Sequence, residues 1–294
     1  MITKKKSIKR RKSSHFYVNK EGAVCKKANA ILGTGVFGST YRMRHRIDRG
    51  IYAVKHIAAP VLKEVQALVK ISHPNIVRYY SCEMRKNKTL RVVMELIGDG
   101  TTLKDVLGTF GYRNSQMIIH KVSNALAYLH NINILHRDIK SGNIFINGEH
   151  VTVGDFGHAV TLPTNNLYNP KPLTQGCSHY AYRAPEVLKG GKYGPSSDMF
   201  QLGCIFLEIR TGTDLDTIVG NSNSTGWSNT ATTWLSSSEG RETIEDICDT
   251  TQNTTFLATG ISLLDLNPNK RPSAKEVRDI LSSYHLPSIR PQTA

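Results

Sequence analysis

Two acidic side chains and an amide lie close together near the middle of the sequence, around a predicted hairpin. Asp138 and Asn143 precede the apolar residues 144–146, and Asp155 follows a second such run at 151–153. Runs of β-branched and aromatic residues predict short strands, with polar groups on the flanking loops. Carboxylate and amide oxygens suit Mg²⁺, which binds few carboxylates together with substrate phosphates, so Asn143 and Asp155 are predicted metal ligands. Asp138 is then available to accept the proton of an incoming hydroxyl during phosphoryl transfer.

The residues around these side chains resemble two loops of the eukaryotic-type protein kinases. His136–Asn143 matches the catalytic loop H-R-D-x-x-x-x-N, and Asp155–Gly157 matches the magnesium loop D-F-G. A lone loop aspartate is usually a capping or turn residue, but that role does not explain both matches in this order and spacing. The resemblance implies an α+β, bilobal protein kinase fold with a small β-rich N-lobe and a larger, mainly helical C-lobe.

A glycine-rich segment near the start of the chain predicts a strand, a turn and a second strand. Gly33, Gly35 and Gly38 would let the backbone approach phosphates and donate its N–H groups to them. A dinucleotide fingerprint would need a helix after the last glycine, whereas the residues after Gly38 favour a strand. Thr40 stands where similar kinases usually have valine, and it keeps a β-branch for packing on adenine.

Further nucleotide-binding residues are implied by the resemblance. Residues 51–57 alternate as a half-buried strand does and match V-A-I-K, which makes Lys55 the ligand of the α- and β-phosphates. Glu64, on a predicted helix over 61–71, would form an ion pair with Lys55. Lys140 matches the D-x-K-x-x-N form of serine/threonine kinases and would offset charge on the transferring phosphoryl group. The remaining ATP contacts are expected at Ala53, Glu95, Ile97 and Phe145.

The second half of the chain contains the pattern of a mainly helical lobe. Apolar spacing predicts helices over 115–131, 197–209 and 273–284, the second of them beginning with a capping pair and buried on most sides. The resemblance implies that Asp198, on that buried helix, holds the catalytic-loop backbone, and that Arg271 pairs with Glu186. Residues 221–238 are rich in Ser, Thr and Asn and are predicted to form a variable loop.

The activation loop, from Asp155 to Glu186, is where the resemblance is weak. Many similar kinases carry a Gly-Thr pair shortly before A-P-E, and this chain has Gly-Cys-Ser-His at residues 176–179. The usual peptide-binding threonine is therefore missing or shifted, which leaves the substrate-sequence preference open. Thr174 and Ser178 are the candidates for regulatory phosphorylation.

Length, charge and the resemblance together give the expected domain limits. The chain has 294 residues, 39% of them hydrophobic, and a net charge of +15, which suits one two-lobed catalytic unit. The basic composition of residues 1–15 predicts a disordered tail. The resemblance implies an N-lobe over 16–97, a C-lobe over 98–285 and a C-terminal tail over 286–294. Nuclear import is the preferred use of the basic tail; a merely solubilising segment and, less favoured, a contact with nucleic acid are the alternatives.

The five cysteines and the distribution of apolar residues indicate the cellular compartment in which the protein is expected. The cysteines are odd in number, scattered and without C-x-x-C spacing, so neither a disulfide framework nor a zinc site is indicated. No apolar run is long enough to span a bilayer, and no secretory signal is recognised. We expect an intracellular protein without a membrane partner, in the cytoplasm, the nucleus or both.

These observations predict an ATP-dependent serine/threonine protein kinase with ATP and Mg²⁺ as cofactors and proteins as substrates. The stretch from the predicted helix over 61–71 through residues 76–80 is similar to NIMA-related kinases and to kinases of a translation initiation factor. The short flanks are similar to kinases of large DNA viruses, which would place the protein in a host cell. A pseudokinase scaffold and a nucleic-acid-binding protein acting through the basic tail are the rival classes.

Overall fold

The computed structural model describes residues 31–35, 38–45, 47–57, 71–84, 89–109, 111–163, 179–220, 230–249 and 254–282. These residues divide into two compact units. One contains 31–57 and 79–96, and the other contains 71–78 and the residues from Ile97 onward. Both predicted tails, the helix carrying Glu64 and the candidate phosphorylation sites Thr174 and Ser178 lie outside the described residues.

The first unit is a five-stranded antiparallel sheet. Its strands, in the spatial order β1-β2-β3-β5-β4, are β1 (Ile31–Gly35), β2 (Gly38–Arg44), β3 (Ile51–Ile57), β4 (Tyr79–Met84) and β5 (Leu90–Glu95). The β-branched and apolar residues of β3 and β5, among them Val54, Val92 and Val93, form its buried centre. The sheet confirms the predicted β-rich N-lobe, including the strand on each side of the glycine turn.

The second unit is mainly helical, as predicted. The helices of its described residues are α1 (Tyr112–Asn131), α2 (Pro185–Leu188), α3 (Pro195–Thr211), α4 (Leu215–Ile218), α5 (Ala231–Trp234), α6 (Ser238–Cys248), α7 (Thr254–Ser262) and α8 (Ala274–Ser282). Two small antiparallel pairs accompany them: β6 (Ile134–Leu135) with β9 (Val160–Thr161), and β7 (Ile144–Asn147) with β8 (His150–Val153). Within the described ranges, no helix combines the length and hydrophobicity needed to cross a bilayer.

Helix α3 forms the centre of the second unit. Every residue from Ser197 to Ile209 is buried, which explains the nearly continuous apolar sequence there. Helix α1 packs against α3 and α8 with its apolar stripe, which includes Ile118, Val122 and Leu126. The start of α3 differs from the prediction, because Gly194 is the N-cap and Pro195 occupies the first turn.

The predicted loop over 221–238 is wrong in its second part, and 221–229 lies outside the described residues. Thr230 accepts a hydrogen bond from the backbone N–H of Thr233, which begins α5, and Ala231 and Trp234 are buried. Ser, Thr and Asn are common both in loops and at helix N-termini, so composition could not separate a loop from a capped helical turn. Trp234 was the sequence signal for burial.

The predicted pair between Arg271 and Glu186 is confirmed. The two guanidinium NH groups lie 2.9 Å from the two carboxylate oxygens of Glu186, a bidentate arrangement. The guanidinium also donates to the carbonyls of Asp265 and Ser196 at 2.7 and 2.9 Å and lies over the ring of Phe200. This arginine therefore connects the segment between α7 and α8 to α2 and α3.

Asp198 anchors the segment that carries the catalytic motif, as predicted. Its Oδ1 accepts from the backbone N–H of Arg137 at 2.9 Å and from the hydroxyl of Tyr193 at 2.7 Å. Its Oδ2 accepts from the backbone N–H of His136 at 3.1 Å and lies 2.9 Å from Nε2 of His130. Burial raises the pKa of this carboxyl, but the hydrogen bond with His130 and the other donors outweigh it, so the pKa lies below its usual value.

Replacing Asp198 with alanine should destabilise the protein by at least about 3 kcal/mol, because several buried donors would lose their acceptor together. The measurement is the free energy of unfolding in urea. Asp279→Ala is the matched control, since Asp279 is on α8 with a half-exposed side chain paired with Arg278, and it should change stability by less than about 1 kcal/mol. Equal effects of the two substitutions would contradict the anchoring role.

Candidate active site

The hairpin of β7 and β8 brings the two predicted metal ligands close together. Ile144 pairs with Val153 at the open end of the hairpin, so the residue before β7 and the residue after β8 are neighbours. The backbone N–H of Gly154 donates to the carbonyl of Asn143 at 2.9 Å, which extends the pairing by one step. Asp155 follows directly, and Asn143 and Asp155 therefore share one end of the hairpin.

The Asp138 carboxylate is buried and has donors on both oxygens. Asn143 Nδ2 lies 2.9 Å from its Oδ2 and 2.7 Å from its backbone carbonyl, and Lys140 Nζ lies 2.9 Å from the same Oδ2. Burial raises the pKa of this carboxyl, but the charge and hydrogen bond of Lys140, with smaller effects of His158 and His136, together outweigh burial, so the pKa lies below the ordinary value. Asp138 is therefore ionised at neutral pH and able to accept a hydroxyl hydrogen bond.

The oxygen atoms available as metal ligands at the hairpin end fit a magnesium ion that is bound mainly by phosphate. Asn143 uses its Nδ2 as a donor, and no described residue donates to its Oδ1, which leaves that oxygen to act as a ligand. Asp155 has the left-handed backbone conformation, with φ of 55°, and one carboxylate oxygen accepts from the N–H of Gly157. Among the described residues no group of three His, Cys, Asp or Glu could hold a metal alone. One carboxylate and one amide suit Mg²⁺ completed by phosphates and water.

His136 connects the catalytic loop to the segment that carries Asp155. Its Nδ1 accepts from the backbone N–H of Asp138 at 3.3 Å, so Nε2 carries the proton and donates to the carbonyl of Gly154 at 3.1 Å. The ring also packs on Phe156, with 4.6 Å between ring centroids. Burial lowers the pKa of His136, which keeps the imidazole neutral and preserves this pattern.

The predicted nucleotide-binding residues of the first unit lie on its first three strands and at the end of β5. Gly33, Gly35, Gly38 and Thr40 lie on β1 and β2, Ala53 and Lys55 lie on β3, and Glu95 ends β5. Thr40 is paired with Lys55 across β2 and β3. Gly38 has φ of 137°, and a Cβ there would lie 1.8 Å from the carbonyl oxygen of His56, so the backbone of this turn requires glycine.

Two predicted nucleotide contacts belong to the second unit. Ile97 begins a turn in which its carbonyl accepts from the N–H of Gly100 at 2.9 Å. Phe145 lies on β7 with its ring against Gly154, where an added Cβ would lie 2.7 Å from the ring. The structure thus brings Asp138, Lys140 and Asn143 into direct contact. It places Lys55 in the sheet unit, and Glu64 lies outside the described residues.

Comparisons with known proteins agree with this arrangement. Residues 27–280 match the family model of the protein kinase domain. The chain belongs to the protein kinase domain family. The predicted membership in the eukaryotic-type protein kinases is confirmed, and the bilobal fold class agrees with the β-sheet unit and the helical unit seen here.

Curated relatives cover a similar part of the chain. The mitogen-activated protein kinase kinase kinase MST11 of Pyricularia oryzae is 30% identical over 212 residues, which are 63% of this chain and 23% of that protein. The double-stranded RNA-activated protein kinase of Mus musculus is 31% identical over 201 residues, or 60% of this chain and 38% of the relative. Serine/threonine-protein kinase Nek5 of Mus musculus is 32% identical over 193 residues, which are 62% of this chain and 30% of that protein. The chain thus spans less than half the length of these relatives.

Glu208 is a buried acid of this kinase domain for which the sequence predicted no role. Its Oε1 accepts from the hydroxyl of Ser141 at 2.9 Å, the hydroxyl of Tyr182 at 2.6 Å and the N–H of Leu215 at 3.0 Å. Its Oε2 has no hydrogen-bond partner in the described part of the chain. Glu208 therefore connects the catalytic loop, the segment before α2 and the start of α4 to the central helix. A glutamate inside the apolar run of α3 was the signal that could have identified it.

Burial raises the pKa of Glu208 to about 7, well above its ordinary 4.5, because its donors are neutral and offset only part of the desolvation cost. The folded protein thus binds more protons than the unfolded chain between these two values, and stability should fall as the pH rises through this window. Over the 2.5 pH units between them the change is roughly 3 kcal/mol at most.

Glu208→Gln tests this pH dependence, because glutamine keeps an oxygen acceptor for the three donors and does not titrate. We expect the free energy of unfolding of the native chain to fall between pH 5 and pH 8 relative to that of the variant. The measurement is urea denaturation at several pH values in one buffer series. Parallel stability curves for the two proteins would contradict a raised pKa at Glu208.

Proposed function

We propose that this kinase domain transfers the γ-phosphate of ATP to serine and threonine hydroxyls of protein substrates. The observation that carries the proposal is the buried, ionised carboxylate of Asp138, in contact with Asn143 and Lys140 on a loop anchored by Asp198. A carboxylate that is held and charged in this way suits the orientation of an acceptor hydroxyl. The motif D-x-K-x-x-N and the serine/threonine kinases among the relatives support the choice of acceptor.

In this proposal the residues of the catalytic loop have the following roles. Asp138 orients the acceptor hydroxyl and accepts its proton as the new phosphate ester bond forms, while the bond from the γ-phosphorus to the bridging oxygen breaks and ADP leaves. Lys140 lies on the same carboxylate oxygen, 2.9 Å away, where its positive charge would offset charge on the phosphoryl group. Asn143 holds Asp138 through Nδ2, and with Asp155 it would hold Mg²⁺ through oxygen. Bound Mg²⁺ would neutralise phosphate charge and orient ATP.

The first unit supplies the proposed nucleotide-binding residues. Lys55 would bind the α- and β-phosphates, with Glu64 as its ion-pair partner, and the backbone of the glycine turn would donate to phosphate oxygens. Ala53 and Phe145 would contact the adenine ring together with Thr40, while the backbones of Glu95 and Ile97 would hydrogen-bond it. The subfamily and the location in the cytoplasm or nucleus stay predictions from the sequence.

Asp138→Asn should lower phosphate transfer by about 100-fold or more, because the amide cannot accept the hydroxyl proton as the carboxylate does. The measurement is transfer of labelled phosphate from ATP to a generic acceptor protein such as casein, with and without Mg²⁺. Asp279→Asn, on the exposed face of α8, is the control and should leave transfer unchanged. Unchanged transfer by Asp138→Asn at a normal melting temperature would contradict the proposal and favour contamination or a scaffold role.

Acid hydrolysis of the labelled acceptor distinguishes the residue type. We expect phosphoserine and phosphothreonine without phosphotyrosine. A peptide array probed with the same preparation would then determine the flanking preference, which the sequence leaves open because the activation loop departs from the family pattern.

A further inference from the structure

The second oxygen of the Asp138 carboxylate has a different partner from the first. Asn143 and Lys140 both contact Oδ2, whereas Oδ1 accepts from the backbone N–H of His179 at 3.1 Å. Among the described residues no other group donates to Oδ1. This oxygen therefore keeps a lone pair for an incoming hydroxyl, and the amide of His179 is the group that holds it in place.

His179 is itself held by three contacts on its C-terminal side. Its carbonyl accepts from the N–H of Tyr182 at 3.1 Å, and its ring meets the ring of Tyr182 edge to face, with centroids 5.6 Å apart. Its Nε2 lies 3.5 Å from Oδ2 of Asp216 in the first turn of α4. Tyr182 donates to the buried Glu208, so these contacts connect His179 to the core of the unit.

We infer that His179 is a positioning residue for Asp138, which holds Oδ1 through its amide and keeps that amide in place through its contacts with Tyr182 and Asp216. The inference rests on the proposed function of Asp138. An aspartate carboxyl rotates easily about its last torsion, and because its two oxygens belong to one planar group, a donor on Oδ1 adds to the restraint that the donors on Oδ2 place on this rotation. Donors on both oxygens restrict the rotation more than donors on one oxygen do, and the amide of His179 holds Oδ1 toward the acceptor.

The sequence of this segment agrees with the inference. His179 lies five residues before Ala184, in the stretch where the usual Gly-Thr pair is absent. A backbone N–H is present whatever the side chain, so the contact with Asp138 does not depend on a hydroxyl. The side chain contributes the second part of the role, because it reaches the carboxylate of Asp216 on α4.

The backbone angles allow the amide and the imidazole to be tested separately. His179 has φ of −65°, which is the value that proline imposes, so His179→Pro removes the N–H and leaves φ unchanged. The carbonyl that accepts from Tyr182 is kept. His179→Ala removes the imidazole and keeps the N–H. Neither variant has the imidazole, so they differ in the N–H that binds Asp138 and in the proline ring, whose Cδ takes the place of the hydrogen and also displaces Oδ1. His179→Gln keeps the N–H and a side-chain donor toward Asp216.

We expect kcat for a peptide acceptor to be at least about tenfold lower in His179→Pro than in His179→Ala, since a hydrogen bond to a charged carboxylate is lost. His179→Ala should lose about two- to fivefold relative to the native protein, and His179→Gln should recover most of that loss. KM for ATP should stay the same in all three, because the nucleotide does not contact His179 in this scheme. Steady-state kinetics and melting curves with and without MgATP give these values.

Equal kcat in His179→Pro and His179→Ala, in folded proteins, would overturn the inference and leave the proposed function intact. A native protein that phosphorylates no acceptor would instead reject the proposed function. If His179→Pro does not fold, Asp216→Ala is the deciding variant. A lower kcat at unchanged KM for ATP in Asp216→Ala, together with a native kcat in Asp216→Asn, supports the positioning role. No change in kcat for Asp216→Ala would overturn it.

Discussion

The buried carboxylate of Asp198 determines where the catalytic loop lies. The N–H groups of His136 and Arg137 are in the interior and outside any strand or helix, so they need an acceptor that the loop cannot supply. Asp198 accepts both of them and is carried by α3, whose residues are buried from Ser197 to Ile209. The packing of α3 thus sets the position of the Asp198 carboxylate. That carboxylate in turn holds the backbone of the catalytic loop, which carries Asp138, Lys140 and Asn143.

Two buried carboxylates of this unit have opposite pKa shifts, and their neighbours explain the difference. Both Asp138 and Glu208 lose solvent on burial, which by itself favours the protonated form. Asp138 has the ammonium of Lys140 at 2.9 Å, which restores the charge that acceptor chemistry needs. Glu208 has three neutral donors on one oxygen, and its pKa rises to about 7. The first acid is therefore suited to chemistry, and the second to holding the segments around it together.

The segment from His179 to Tyr182 connects these two acids. Its first residue donates to Asp138 and its last donates to Glu208, so movement of this segment would disturb both carboxylates together. Its first residue also ends the stretch 176–179, where the usual Gly-Thr pair of similar kinases is absent. In the proposed function, acceptor preference should depend on this segment, because it contacts the carboxylate that would orient the acceptor hydroxyl.

The sequence by itself determined the strands around the glycine turn, the β7–β8 hairpin, α1 and most of α3, because hydrophobic periodicity is a local property of the chain. Through resemblance it also identified the catalytic motif, the role of Asp198 and the pair of Arg271 with Glu186. Only the tertiary structure decided that Glu208 joins Ser141 to Tyr182 and that the amide of His179 contacts Asp138. These partners are between 26 and 67 residues apart, and no local pattern encodes which of many polar groups will meet. The packing around α3 selects them, since a buried donor or acceptor must find its partner among the groups that packing brings within reach.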